Sequence, residues 1–192
     1  MTKTEIRQRL LALRKQLDPV RHRSLSAQAQ ARLIASRPFR LAEKIALYSP
    51  VQNEVSTAAL SLAALKQRKA VFYPRVEGEG LVFCRVLSAA ELTLGAFGVK
   101  EPAAGVGVVG AEMDLIVVPG AAFDLRGQRL GYGRGFYDRC LAQTAADNLS
   151  LGLCFELQLV EKLPAAEHDM AVDFLATEAR LFPVSKKEAG LT

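Results

Sequence analysis

The heptapeptide DLIVVPG, residues 114–120, decides the fold class of this chain. Its four central residues are all apolar and are followed at once by Pro-Gly, which is typical of a short strand buried on both faces of a sheet. Such a strand needs helices packed on both sides, and ligands bind beyond its C-terminal end. The heptapeptide therefore predicts an α/β fold and directs attention to the residues that follow Val118.

Helices and strands alternate on either side of this heptapeptide. The apolar spacing predicts helices at 4–17, 19–36, 57–68 and 135–146, and strands at 44–50, 70–76, 81–87, 150–156 and 174–182. The strands at 70–76 and 81–87 should form a hairpin, and 88–112 should be mostly loop. This order predicts a single three-layer α/β/α domain, residues 1–192, with a mostly parallel, Rossmann-like sheet. Ligands should then bind at the loops after Tyr48, Val118 and Phe155. Two basic helices (1–37) would precede the sheet, and 186–192 would be a frayed tail.

Composition excludes several classes of protein. Half of the 192 residues are hydrophobic and 23% are charged, as in ordinary globular proteins. No apolar run approaches the ~20 residues that a membrane-spanning helix needs, and the N-terminus lacks a secretory signal pattern. Three cysteines without paired spacing argue against disulfides and zinc and predict buried free thiols. We therefore expect a cytoplasmic protein that has no membrane partner.

Positive charge is concentrated at the N-terminus. Residues 1–37 hold nine Lys or Arg against Glu5 and Asp18, whereas the whole chain carries only +5. This asymmetry suggests an anionic partner, although a solvated helical face or a mitochondrial transit peptide would look similar. No aromatic residue is interleaved with these basic residues, so we expect no nucleic-acid partner.

A glycine-rich stretch follows the buried strand: RLGYGRGFYDR, residues 129–139. It fits neither the dinucleotide fingerprint, whose third glycine would come one residue later, nor the P-loop pattern. The glycines nevertheless precede a predicted helix, so their N–H groups can converge on an anion. Arg134 can donate paired hydrogen bonds to a phosphate, and Asp138 can hold Mg²⁺. On the residues alone, a glycine-rich turn at a favourably charged helix start is the alternative.

A longer segment, VPGAAFDLRGQRLGYGRGFYDR at 118–139, resembles the signature of the 5-formyltetrahydrofolate cyclo-ligase family, also called 5,10-methenyltetrahydrofolate synthetases. Further stretches are similar to the same family: Lys3 with Arg7, YSPVQNEVST (48–57), FGVKEP (97–102) and LPAAEHDMAVD (163–173). Together they run from residue 3 to about residue 180, and they are specific as a set. The resemblance argues against a transit peptide, because cleavage would remove Lys3 and Arg7.

The resemblance implies an ATP- and Mg²⁺-dependent enzyme that converts 5-formyltetrahydrofolate into 5,10-methenyltetrahydrofolate and releases ADP and phosphate. ATP would phosphorylate the formyl oxygen, and a neighbouring folate nitrogen would then close the ring, so no protein nucleophile is required. The implied sheet is CoA-transferase-like. We expect small-molecule partners only and a monomer. The alternative is a protein derived from the same family that binds folate or nucleotide without turnover.

Site residues follow from the same resemblance. It implies ATP contacts from Lys3, Arg7, Arg129, Leu130, Gly131, Tyr132, Gly133, Arg134, Gly135, Phe136 and Tyr137. It implies folate contacts from Val51, Glu54 and residues 131–135, and Mg²⁺ contacts from Asp138 and Asp169. Arg134 and Asp138 are the predicted catalytic residues. Many relatives have lysine where this chain has Arg134, which keeps the charge but changes its geometry.

Several of these residues also have plain structural interpretations. Glu54 could be a surface carboxylate and Asp169 a helix cap, while Tyr132 and Tyr137 could pack in the protein instead of stacking on a ligand. His22 and the other basic residues of 1–37 are expected to be solvated.

Overall fold

The structure is a computed structural model, which describes residues 1–145 and 147–184. Its helices are α1 (Lys3–Lys15), α2 (Pro19–Ala35), α3 (Arg37–Leu41), α4 (Ala58–Lys66) and α5 (Phe136–Leu141). Its strands are β1 (Lys44–Ala46), β2 (Ala70–Glu77), β3 (Gly80–Val86), β4 (Leu92–Leu94), β5 (Lys100–Pro102), β6 (Gly107–Val108), β7 (Leu115–Val118), β8 (Ala122–Asp124), β9 (Arg129–Leu130), β10 (Leu149–Leu153), β11 (Leu159–Val160), β12 (Phe174–Ala176) and β13 (Leu181–Pro183).

The main sheet of the described chain has eight strands in the order β13-β12-β10-β7-β1-β2-β3-β6. Its five central strands, from β12 to β2, are parallel, and the strands at both edges are antiparallel. The heptapeptide 114–120 supplies β7, whose four residues are all buried. The predicted α/β fold with a mostly parallel sheet is confirmed, and so is the hairpin of β2 and β3.

Alternate residues of the central strands face two separate cores. Leu115 and Val117 of β7 join a cluster with α2, α3 and α4 on one face of the sheet. Ile116 and Val118 join a second cluster, with Phe123 and α5, on the other face. Because a strand buried on both faces must be covered twice, the helices form layers on both sides of the sheet.

Helix α1 lies against a second, three-stranded sheet of order β11-β8-β9. Its Ile6 and Leu10 pack on Ala122 of β8 and Leu130 of β9. A capping box at Thr2 satisfies backbone N–H groups at the start of the helix. This packing fixes α1 beside the strand that leads into the glycine-rich stretch.

The predicted number of helices before β1 and the predicted end of α5 are wrong. Arg37-Pro38 ends α2 as expected, but it also begins α3, so three helices precede β1. Ser36 Oγ accepts a hydrogen bond from Phe39 N (3.3 Å), and proline suits the first turn of a helix. Helix α5 ends at Leu141, well before the predicted end; residue 146 itself lies outside the described residues.

Two predictions near the sheet edges also need correction. Segment 174–182 is not one strand but the antiparallel pair β12 and β13, because Thr177 Oγ1 accepts hydrogen bonds from Ala179 N and Arg180 N and turns the chain. Segment 88–112 is less irregular than predicted, since β4 and β5 form a hairpin within it. The predicted frayed tail, 186–192, lies outside the described residues.

Membrane-spanning potential and cysteine state were also predicted from composition. Within residues 1–145 and 147–184, no helix is long and apolar enough to cross a membrane. Cys84, Cys140 and Cys154 are free and buried, as predicted. Burial raises the pKa of Cys140 to about 11, so this thiol is neutral at physiological pH.

Gly152 in β10 is the position where the core leaves least room. A β-carbon there would lie 2.5 Å from Phe123 Cε1 and 2.8 Å from Leu175 Cδ2. We expect Gly152→Ala to lower the free energy of unfolding in urea by about 1–3 kcal/mol, because both neighbours are held in the core. Gly80→Ala is the control, since its nearest neighbour would be Glu77 O at 3.9 Å, and it should change stability by less than about 0.5 kcal/mol. Equal losses in the two variants would contradict this interpretation.

Candidate active site

One cleft of ≈ 1010 Å³ opens beyond the C-terminal ends of β1 and β7. It is lined by the start of α1, the segment after β1, the β4–β5 hairpin, the stretch from β9 into α5 and the loop before β12. Every site residue predicted from the sequence lines it: Lys3, Arg7, Val51, Glu54, Arg129, Leu130, Gly131, Tyr132, Gly133, Arg134, Gly135, Phe136, Tyr137, Asp138 and Asp169. The fold thus assembles residues from distant parts of the chain, while their individual roles stay predictions.

One loop that was expected to line the cleft does not do so. The loop after Phe155 was predicted to contribute, but the described lining residues include none from 156–160. Instead, Gln158 Nε2 donates hydrogen bonds to Gly120 O (2.8 Å) and Ala121 O (3.1 Å). This loop therefore supports the cleft from behind, and the late acidic segment around Asp169 takes its place.

Helix α1 directs two cations into the cleft. Lys3 and Arg7 stand one helical turn apart and so share a face. Lys3 Nζ lies 2.5 Å from Asp169 Oδ2, and Arg7 Nε donates to Gly131 O at 2.8 Å. Burial by itself would raise the pKa of Asp169, but the hydrogen bonds from Lys3 and Ala166 N outweigh it, and its pKa lies below the ordinary value. Asp169 is therefore an ionised carboxylate at neutral pH.

The glycine-rich stretch turns sharply into α5. Gly133 and Gly135 have φ angles of 99° and 66°, which glycine adopts without strain. Arg129 NH2 donates to Asp138 Oδ2 at 2.8 Å, and its guanidinium lies 5.6 Å from the centre of the Tyr137 ring. Two buried atoms that line this region, Ser49 Oγ and Arg129 Nε, have no hydrogen-bond partner among the described residues. Such groups are costly unless a ligand or water satisfies them.

Arg134 stacks on an aromatic residue that the sequence analysis did not single out. Its guanidinium carbon lies 3.7 Å from the centre of the Phe97 ring. Phe97 is 57% exposed and has a positive φ of 58°, which is rare for an aromatic residue. Glu101 holds this hairpin by accepting hydrogen bonds from Ala96 N (3.0 Å) and Val76 N (3.1 Å). The signal in the sequence was the FGVKEP stretch, where Phe97 is the aromatic residue.

Glu54 is not a surface carboxylate. Only 3% of it is exposed, and burial raises its pKa. Its Oε1 accepts a hydrogen bond from the Tyr132 hydroxyl (2.6 Å), and its Oε2 accepts one from Val51 N (2.9 Å). Tyr132 therefore serves as a hydrogen-bond donor in the wall of the cleft. Burial also raises the pKa of Tyr132, which keeps the donated proton on the hydroxyl.

Arg14 is a buried residue beside the cleft that the sequence did not single out. It was expected to be solvated, yet it has no exposed surface. The signal was its position: it continues the four-residue spacing of Ile6 and Leu10, which places it on the buried face of α1. Leu13, an apolar residue of the same helix, is by contrast 40% exposed.

His22 was also predicted to be a surface residue, and this is wrong. It is half-buried, its Nε2 lies 2.9 Å from Glu54 O, and its ring meets Phe155 edge-on. The backbone that precedes Glu54 has an unusual conformation, since Gln52 and Asn53 have φ angles of 48° and 59°. His22 is thus one of the groups that hold this conformation in place.

Asp138 and Asp169 lie close together in the cleft. Asp138 Oδ1 accepts a long hydrogen bond from Met170 N (3.4 Å), the residue after Asp169. Among the residues that the structure describes, no three or more His, Cys, Asp or Glu side chains form a metal cluster. Mg²⁺ bound with a nucleotide needs fewer protein ligands, because phosphate and water oxygens supply the rest. The two carboxylates fit such a cation.

The family is shown by direct comparison. A model of the 5-formyltetrahydrofolate cyclo-ligase family matches residues 1–178. The chain belongs to this family. Family members that it resembles include the 5-formyltetrahydrofolate cyclo-ligase of Mus musculus, 31% identical over 89% of each chain. Another is that of Escherichia coli, 30% identical over 92% of this chain and 98% of the relative.

Solved structures of cyclo-ligase family members share this fold. The 5,10-methenyltetrahydrofolate synthetase of Aquifex aeolicus superposes with a TM-score of 0.87 at 37% identity, covering 100% of this chain and 97% of the other. The synthetase of Mycoplasma pneumoniae gives a TM-score of 0.77 at 24% identity over 93% and 99% of the two chains, which bears on the fold alone. The described residues of this family member therefore have the family's α/β fold.

The buried carboxyl of Glu54 predicts that the stability of the protein depends on pH. Since its pKa is raised above the ordinary 4.5, the folded chain retains a proton that the unfolded chain has already released. This contribution to stability is present at low pH and is lost as pH rises through the folded pKa. We expect Glu54→Gln to gain stability relative to the unmodified protein as pH rises above the ordinary pKa of a glutamic acid, measured by urea denaturation. A difference that does not change with pH would contradict the buried carboxyl.

Proposed function

We propose that this protein converts 5-formyltetrahydrofolate into 5,10-methenyltetrahydrofolate with ATP and Mg²⁺, releasing ADP and phosphate. The observation that carries the proposal is that the residues predicted to contact ATP, folate and metal, drawn from four parts of the chain, line one cleft. Family membership supports the same reaction. The predicted single-domain extent, monomeric state and cytoplasmic location remain part of the proposal.

The cations of the cleft suit a transferred phosphoryl group. Lys3 and Arg7 reach it from α1, and Arg134 reaches it from the glycine-rich stretch. Phosphoryl transfer depends mainly on positioning and on neutralising charge, which these side chains supply. In the reaction, the γ-phosphoryl passes to the formyl oxygen, the neighbouring folate nitrogen attacks the formyl carbon, and phosphate leaves with that oxygen.

Asp138 and Asp169 would hold Mg²⁺ carried by the nucleotide, which neutralises phosphate charge when bound. Lys3 and Arg129 already pair with these two carboxylates. Both pairs therefore orient the carboxylates within the cleft. At the opposite wall, Glu54 offers acceptor oxygens to the N–H donors of a pterin ring.

A direct assay tests the reaction. The protein is incubated with 5-formyltetrahydrofolate, ATP and Mg²⁺, and the methenyl chromophore is followed by absorbance together with ADP release. We expect both signals in equal amounts, and neither without ATP. Folate binding by calorimetry without either signal would instead identify a non-catalytic family member and overturn the proposal.

Asp138 should matter far more for catalysis than for folding. Asp138→Asn keeps an oxygen that can accept from Arg129 NH2 but removes the negative charge. We expect kcat to fall by at least about 100-fold, while the free energy of unfolding changes by about 1–2 kcal/mol.

The matched control is Asp124→Asn. Asp124 is also paired with an arginine, Arg126, but it is fully buried and caps Gln128 N and Leu163 N outside the cleft. We expect this variant to lose stability and to keep kcat at temperatures where it is folded. If Asp138→Asn lost stability and activity in the same proportion as the control, Asp138 would be structural.

A further inference from the structure

The guanidinium of Arg14 joins three segments at the base of the cleft. Its Nε donates to Gln52 O (2.9 Å), its NH1 to Gly120 O (3.0 Å) and its NH2 to the Tyr132 hydroxyl (2.6 Å). Gln52 belongs to the segment after β1, Gly120 follows β7, and Tyr132 lies in the glycine-rich stretch. A buried guanidinium needs partners for its five N–H groups, and these acceptors fix its geometry.

The contact with Tyr132 continues to Glu54. The same hydroxyl that accepts from Arg14 donates to Glu54 Oε1, so one oxygen atom joins the cation to the carboxyl. The other carboxyl oxygen accepts from Val51 N, and the Glu54 backbone oxygen contacts His22. Contacts within the protein therefore fix both the carboxyl group and the backbone of Glu54.

We propose that Arg14 is a positioning residue that acts through Tyr132 to fix the orientation and the negative charge of Glu54 in the folate site. The proposal rests on the proposed function in one respect, namely that Glu54 contacts folate. Arg14 itself is fully buried and does not line the cleft, so it acts on the ligand only through its neighbours.

The charges around Glu54 make this role measurable. Burial raises its pKa, whereas the hydrogen bonds from Tyr132 and Val51 N and the charge of Arg14 oppose the increase. The other titratable groups that face it are the His22 ring, at its backbone oxygen, and the hydroxyls of Tyr48 and Tyr137. Of these groups, Arg14 is the permanent cation that favours the ionised carboxyl.

The test is the pH dependence of folate affinity without ATP. Calorimetry gives the Kd of 5-formyltetrahydrofolate from about pH 6 to about pH 9 for the unmodified protein and for four variants. Arg14→Leu removes the cation, and Tyr132→Phe removes only the hydroxyl that links it to Glu54. Arg14→Lys keeps the positive charge but loses the planar guanidinium that donates to three acceptors. Lys15→Gln is the matched control, because Lys15 is the exposed neighbour of Arg14 on α1.

We expect the ratio of variant Kd to unmodified Kd to depend on pH. For Arg14→Leu and Tyr132→Phe, the ratio should rise by at least about threefold toward the acidic end, because less Glu54 is ionised there. Arg14→Lys should restore part of the loss, and Lys15→Gln should give a ratio near one throughout. Tyr132→Phe keeps the ring and so provides the answer if Arg14→Leu does not fold.

Two results overturn the inference, and a further variant separates it from the proposed function. A ratio that is constant across the pH range, at any value, would mean that Arg14 only supports the fold. If Arg14→Lys gave a Kd ratio near one at every pH, as Lys15→Gln should, then the hydrogen bonds of the Arg14 guanidinium would be irrelevant. If Glu54→Gln itself leaves affinity and its pH dependence unchanged, the folate contact fails. If Glu54→Gln abolishes the pH dependence while the Arg14 variants do not alter it, only the present inference fails.

Discussion

A guanidinium without exposed surface lies where three segments of this chain meet, and most of the cleft depends on it. Removing a charge from water costs several kcal/mol unless its hydrogen bonds are satisfied. Arg14 meets this requirement only when the segments after β1 and β7 and the glycine-rich stretch all lie in their observed places. The packing of α1 on β8 and β9 and the arrangement of the cleft therefore stabilise each other.

The parallel sheet explains why these segments can meet at all. β1 and β7 are hydrogen-bonded neighbours, so their C-terminal ends open at the same edge. The residues after β1 carry Glu54, and those after β7 carry Gly120 and lead to Tyr132. Helix α1 covers this edge from outside the layers. Its Lys3 and Arg7 therefore approach the same space from the opposite direction.

Local patterns were enough to predict the sheet and the glycine-rich turn, whereas most site residues of the cleft were predicted only from the resemblance to the family. The run 115–118 indicated its burial directly, and the glycines of 131–135 indicated a close backbone turn. What could not be predicted was pairing across the chain. An arginine on a helix looks solvated until the acceptors that bury it are known, and Arg14 finds them 38 to 118 residues away. The split of 174–182 into two strands likewise depends on a turn made by Thr177, which apolar periodicity does not reveal.

The contact between Arg134 and Phe97 has a consequence for how readily the cleft can rearrange. Among the cations of the cleft, Lys3 and Arg129 rest on carboxylates and Arg7 on a backbone oxygen, whereas Arg134 rests on an aromatic face. An exposed cation–π contact is worth about 0.5–1 kcal/mol, so leaving the ring costs little. The flat guanidinium lies on the ring with its edge still hydrated, as a lysine ammonium could not. Arg134 can therefore turn toward a ligand without breaking an ion pair, unlike Lys3 and Arg129.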